Sequence, residues 1–377
     1  CLKSRGLGDV YKRQVLKVVV LWLKDYPLAH FERAYRRDPG AVSAALTAAT
    51  GLESLPVRPD TPAERAELMH FWNWIQRQQA NLAQYQADVI RDALGPGTLV
   101  VANPHELPVL DFAGQGRAFD YPSVAVRPLL IEDEVMLRHY IAYFSQLFHD
   151  LAGKPPMVSV RMNLSAATPQ YVPTDELIRN WYDQAVRHGA GGFYFWTRDY
   201  PPHDDPATYD GPIPGNPVAS TLPGERWEVS LDLLGRLATH RQFLQPQSEV
   251  AILVPLTAAL LHREEWRRIY AVFSALAEAR IFARFVSDQQ VAQGELPPAV
   301  KMLIAPQLEF MSPDLRRALG EFTHQGGLLL TNGAQVYSPA GAPAEPLVGA
   351  AYLDPALLEV FPLGKAGRLT DLLLSLI

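Results

Sequence analysis

The chain has 377 residues, 48% of them hydrophobic, and a net charge of -6 at pH 7, which is too much chain for one ordinary core and suits two domains. Charges of both signs are spread without long blocks, so there is no basic stripe to neutralise phosphates, and nucleic acid is argued against as a partner. No apolar run is long enough to span a bilayer, and the one cysteine, Cys1, removes disulfides, thiolate metal sites and catalytic thiols. That cysteine usage fits a reducing compartment, with the cytoplasm ahead of secretion, or a cysteine-poor lineage; the start of the chain leaves localisation open.

Residues 1–14, CLKSRGLGDVYKRQ, lack an initiator methionine and resemble translated adapter sequence, so they are set aside from the fold. Residues 15–22 read as a strand, and the stretch PLAHFERAYRRDPGAVSAALTAATGL as helix broken at Asp38-Pro39-Gly40. Thr61-Pro62-Ala63-Glu64 supplies an N-cap, a proline at the first helical position and an acidic first turn. Apolar periodicity runs on through Phe71, Trp74 and Ile75 toward Ile90, and Gly95-Pro96-Gly97 stops it. A short buried strand at 99–102 ends on Asn103-Pro104-His105. Further elements are a strand around 123–130, an amphipathic helix at 134–151 and a strand at 157–164.

The most informative stretch follows, LIRNWYDQAVRHGAGGFYFWTRDY at 177–200. Leu177, Ile178, Trp181, Ala185 and Val186 recur at helical spacing, His188-Gly189 is a C-terminal stop, and Phe193-Tyr194-Phe195-Trp196 is too continuous for a strand with one wet face. Alternating helix and buried strand is the signature of a parallel sheet. Five strand candidates precede residue 245, against the eight of a closed barrel, so 15–245 is expected to be a partial (β/α)8 barrel lacking its first half.

A polar break, LQPQS at 244–248, precedes a second α/β pattern. Strands are expected at 250–255, 282–286, 300–305 and 328–331, with helices at 263–279 and 313–324. This predicts a flavodoxin-like doubly wound domain over 246–377, and the ending LTDLLLSLI has no stop signal, so it reads as cut short. After Val254-Pro255 comes LTAALLH, without the glycine that lets a backbone approach a pyrophosphate, so no nucleotide cofactor is expected. Glutamine amidotransferases share this sheet type but need a cysteine nucleophile, which Cys1 cannot supply.

The order of parts resembles the β-galactosidases of glycoside hydrolase family 42, a (β/α)8 barrel followed by a flavodoxin-like domain that assembles trimers. The stretches that carry the likeness are the 177–200 unit, GERWEVSLDLLGRL at 224–237, VAILVP, VKMLIAPQLEFMSPDLRRALGEFTHQGGLLLTNG and VVANPH at 100–105, similar to the family's fifth barrel strand. The resemblance implies a retaining glycosidase acting on carbohydrate, with copies of the chain as partners. It implies an acid/base Glu after the fourth strand, expected at or before 15–22 and missing upstream, and a nucleophilic Glu at the end of the seventh, expected at 157–164. Retaining chemistry places the two carboxyl groups about 5 to 5.5 Å apart. Residues 157–165 read MVSVRMNLS, with Arg161 and Asn163 where a carboxylate belongs, and the nearest acids, Asp150 and Asp175, lie on flanking helices. The chain is therefore expected to be inactive, or alternatively to belong to a barrel that binds carbohydrate without cleaving it.

Other polar residues fall at expected strand ends: Asn103 and His105 after one, Trp196, Arg198 and Asp199 after the last. Their functional reading is sugar contact, an aromatic face on a pyranose and hydrogen bonds to hydroxyls. Their bland reading is a loop cap, a core tryptophan and an ion pair of little consequence. Asp120, before the 123–130 strand, is a poor surrogate for the acid. His203-Asp204-Asp205 could suggest a metal, but three adjacent residues in a Pro-rich loop do not converge on one ion, so no metal is expected.

Overall fold

In the computed structural model of the chain, the described residues are 18–21, 61–62, 80–81, 83–102, 116–126, 138–161, 174–196, 228–229, 231–233, 235–236, 247–256, 266–306, 308, 310–332, 336–338, 340–345 and 347–352. The adapter-like segment and the helix expected before residue 50 lie outside them.

Two groups of parallel strands make up the first half. β1 (Val18–Leu21) pairs with β2 (Leu99–Ala102), from Val18 opposite Leu99 to Leu21 opposite Ala102. β3 (Ser123–Val126), β4 (Met157–Arg161) and β5 (Gly192–Trp196) form a second parallel sheet in chain order. A parallel bridge from Val101 to Tyr121, with Asp120 N donating to Val100 O at 3.0 Å, sets β3 beside β2. Parallel neighbours in chain order require a crossover each time. Helix α1 (Tyr140–Ala152) makes the one from β3 to β4, and α2 (Asp175–Arg187) the one from β4 to β5. The result is the wall of a partial α/β barrel.

Local chemistry fixes α2 at both ends. The Thr174 side chain accepts from Leu177 N, Asp175 and Glu176 lie in the first turn, and Arg187 lies in the last. At the other end Ala190 N donates to Ala185 O at 2.9 Å and Gly189 N to Val186 O at 3.2 Å, the paired bonds of a Schellman motif. Gly189 supplies the positive φ, 91°, that this motif needs. His139 interrupts the helical backbone just before α1, and of the expected 134–151 helix the residues before 138 lie outside those described. Its orphan first turn is served from α2: Gln184 Oε1 accepts from Ala142 N at 3.2 Å while Nε2 donates to Arg138 O at 2.8 Å.

The second half is one parallel sheet of β6 (Val250–Val254), β7 (Ala283–Ser287), β8 (Met302–Ala305), β9 (Leu328–Thr331) and β10 (Ala350–Tyr352). Its spatial order, β7-β6-β8-β9-β10, is the flavodoxin-like 2-1-3-4-5. Among the described residues three helices accompany it: α3 (Trp266–Glu278), α4 (Asp288–Ala292) and α5 (Pro313–His324). Helix α4 and strand β10 were not legible beforehand, one being a single turn and the other three residues of which two are exposed. The expected strand 282–286 shifts by one, because Ser287 continues β7 and then closes a capping box with Gln290 that starts α4. The strand expected from 300 begins at Met302, since Val300 N closes a turn onto Pro297 O at 3.0 Å.

Strand alternation divides this sheet between two cores. Ala251, Leu253, Leu303 and Leu329 join Leu315 and Leu319 of α5 on one face. Val250, Ile252, Phe285 and Ile304 join α3 on the other, in a cluster that also contains Tyr143, Phe144 and Leu147 of α1 and Trp181 and Tyr182 of α2. A barrel helix therefore helps to roof the second sheet. Tyr143 stands at the centre, edge-on to Tyr270, Phe273 and Phe285 with ring centroids 5.1, 5.5 and 5.4 Å away.

Candidate functional site

Parallel pairing sets the C-terminal ends of the first-half strands along one rim. Leu21 is opposite Ala102, Val126 opposite Val160, and Arg161 opposite Trp196. Val158 and Phe193 are buried in the cluster beneath the helices. Positions 161 and 196 are register partners at the last residue of their strands. The structure thus brings two of the expected site residues to adjacent places at the end where barrel enzymes keep their chemistry. Asn103, His105, Asn163, Arg198 and Asp199, and the His203-Asp204-Asp205 run, lie outside the described residues.

Asp120 belongs to the opposite end. Its Oδ2 accepts from Val100 N at 2.8 Å and from Arg91 Nη2 at 3.1 Å, tying the helical residues 83–94 to the start of β2. Asp175 is likewise accounted for, in the first turn of α2. Among the described residues, no group of three His, Cys, Asp or Glu could hold a metal ion, and no helix is long and apolar enough to cross a membrane.

The densest polar cluster among the described residues is far from this rim, in the seam between α1, α2 and β7. The Asp150 side chain, 2% exposed, accepts from Phe285 N at 2.9 Å, from Gln146 Nε2 at 2.9 Å and from His149 at 3.0 Å, with Arg284 at 3.6 Å. β7 is an edge strand, so this carboxylate occupies a backbone N–H that no neighbouring strand takes. His188 Nδ1 meets Gln146 Oε1 at 2.8 Å, and burial, helped by His139 and Arg187 and opposed by Asp150, pulls its pKa down to about 4. Nearby, burial also lowers His139 against the pull of Glu278. Burial would raise Glu278, but hydrogen bonds from Arg138 and His139 outweigh it and hold the carboxyl below its ordinary value. The sequence carried one sign of this cluster: Gln146 and Asp150 stand four residues apart in a helix that is otherwise apolar nearly all round.

No family model matches the chain, and no curated protein matches it. Solved structures do. A family 42 β-galactosidase from G. stearothermophilus superposes with a TM-score of 0.61 at 14% identity, over 85% of this chain and 51% of its own. The fold is that of the family 42 β-galactosidases. A cold-adapted β-galactosidase from a Rahnella species gives a TM-score of 0.60 at 17% identity, over 84% of this chain and 50% of its own. A family 42 exo-carrageenase from Bacteroides ovatus gives 0.58 at 10% identity, over 91% and 51%. The chain spans about half the length of these family 42 structures. Coverage of this chain is wide enough that the family 42 likeness has to include both the barrel wall and the five-stranded sheet.

Proposed function

We propose that the chain is part of a glycoside hydrolase-type protein of the β-galactosidase kind, with the rim at Ala102, Arg161 and Trp196 as the mouth of a sugar site. The observation that carries this is the sequence of parts: parallel strands in chain order under an outer helix layer, then a 2-1-3-4-5 sheet, in one chain. On this reading β4 and β5 are the seventh and eighth barrel strands. Trp196 offers a ring face to the apolar side of a pyranose, while Asn103, His105, Arg161, Asn163, Arg198 and Asp199 serve its hydroxyls. The 246–377 region acts as an assembly module that brings copies of the chain together.

Retaining hydrolysis needs a carboxylate on each side of the anomeric carbon. Residues 157–165 bring none to the end of β4. This chain is therefore expected to hold a sugar without cleaving it, and the same stretch favours the second reading, a barrel in which Arg161 and Asn163 made binding the whole function. Calorimetric titration of the chain with galactose and β-galactosides tests both. Saturable binding that Trp196→Ala removes, with no nitrophenol released from aryl β-galactosides, is the expected result. Nitrophenol release would overturn the inactive assignment, and absence of any saturable binding would remove the sugar site.

A further inference from the structure

A line of hydrogen bonds crosses the seam between the barrel wall and the second sheet, and its direction can be read. The Gln146 side chain is fully buried. Its Nε2 donates to Asp150 Oδ2 at 2.9 Å, since an ionised carboxylate only accepts. Its Oε1 is thereby turned to His188 at 2.8 Å, and the imidazole must carry its proton on Nδ1. The other end of the line is Phe285 N, which donates to the same Asp150 oxygen at 2.9 Å.

His188 is seated against two aromatic rings, Phe273 and Phe282, with centroids 5.8 and 6.1 Å away. The charged groups around it are His139 and Asp150 from α1 and Arg187 from α2. Behind Asp150 stand His149 and Arg284, and behind His139 stand Glu278 and Arg138. Asp150 already serves the other donors, so it offers a second imidazolium proton only distant attraction. Burial dominates, and the half-buried seat holds the ring neutral down to about pKa 4.

We propose that His188, Gln146 and Asp150 form an acid-released latch between the barrel wall and the edge of the second sheet. A proton from solvent on His188 Nε2 makes the ring a cation, which leaves its aromatic seat for water. The Nδ1 to Gln146 bond breaks, Gln146 loses the partner that orients it, and Asp150 lets go of Phe285 N. The inner strands keep their ladders, because Ile252 lies in β6, paired on both sides by β7 and β8. Loss of the latch is thus confined to the seam.

Amide hydrogen exchange on the full chain, corrected for the intrinsic pH dependence of exchange, tests this. Between pH 6.5 and pH 4 the protection of the Phe285 amide should fall by up to about tenfold per unit and about 80-fold in all, the part of the roughly 300-fold gap between an ordinary and a seated histidine that lies between the two midpoints. Ile252, freed only by global unfolding, should stay better protected than Phe285 at every pH, and His188→Gln should make the protection of Phe285 independent of pH. Equal slopes in the parent and His188→Gln, or Phe285 as well protected as Ile252 throughout, would overturn the latch. Should His188→Gln fail to fold, ring titration of the parent by NMR decides. Proton uptake that tracks the loss of Phe285 protection supports the latch; an imidazole that titrates while Phe285 stays protected refutes it.

Discussion

Replacing Asp150 by Ala removes the one acceptor on which the seam converges. Phe285 N and Gln146 Nε2 each lie 2.9 Å from that carboxylate, and His149 Nδ1 lies at 3.0 Å. With the Asp150 side chain only 2% exposed, water does not readily replace it for the two innermost donors. An orphaned buried donor costs about 1–3 kcal/mol, so two give a loss of about 2–6 kcal/mol, which brackets the roughly 3–5 kcal/mol seen when one member of a buried charged set is deleted. The Arg284 contact, at 3.6 Å and with the guanidinium 34% exposed, adds little. Asp150→Asn should behave differently. Its oxygen, standing where Oδ2 stood, can still serve both Phe285 N and Gln146 Nε2, while its new N–H group faces His149 Nδ1, which must then accept, and the Arg284 contact is lost. We expect a cost of about 1 kcal/mol for Asn, within the range of one ordinary hydrogen bond, together with a His149 proton fixed on Nε2 and visible in its ring nitrogen shifts. Urea unfolding followed by far-UV circular dichroism gives the stabilities. An Ala variant that loses under about 1 kcal/mol, or an Asn variant as damaged as the Ala variant, would refute the reasoning.

Tyr143→Ala empties the middle of the shared aromatic cluster and should cost about 3–5 kcal/mol, read as a fall in urea midpoint. Gly191→Ala would set a Cβ 2.8 Å from that of Pro155 and force the start of β5 outward, for a loss of about 1–3 kcal/mol in the same assay. Thr174→Ala removes the acceptor for Leu177 N and should cost about 1 kcal/mol. Stability should also fall with pH through His188: it is neutral in both states above about 6.5, and below that the unfolded chain takes up a proton that the folded chain refuses until about 4. The loss approaches about 3 kcal/mol by pH 4, and stability curves for the parent and His188→Gln should converge as pH falls. Light scattering tests assembly through the 246–377 region: the chain should run as a multiple of its own mass, and a strict monomer at all concentrations would end that proposal.

Elements whose cause is local were legible from residue order alone. α5 occupies 313–324 as expected, and α2 stops at His188-Gly189 because a positive φ there suits glycine. Parallel strands were legible because strands of such sheets read as continuous apolar runs, which is why Phe193 through Trp196 and Val250 through Val254 stood out. The places of Arg161 and Trp196 on the rim followed from the same periodicity once β4 and β5 were paired. Spatial partners were another matter. Nothing in the letters says that Gln184 caps α1, that Asp150 serves the edge of a strand 135 positions away, or that His188 is more than a helix stop. A hydrogen bond between distant segments depends on how layers stack, and no local preference encodes it. The sequence by itself settled the α/β alternation and its two successive patterns; tertiary packing alone decided that a barrel helix roofs the five-stranded sheet, because an apolar helix face is indifferent to which apolar surface covers it.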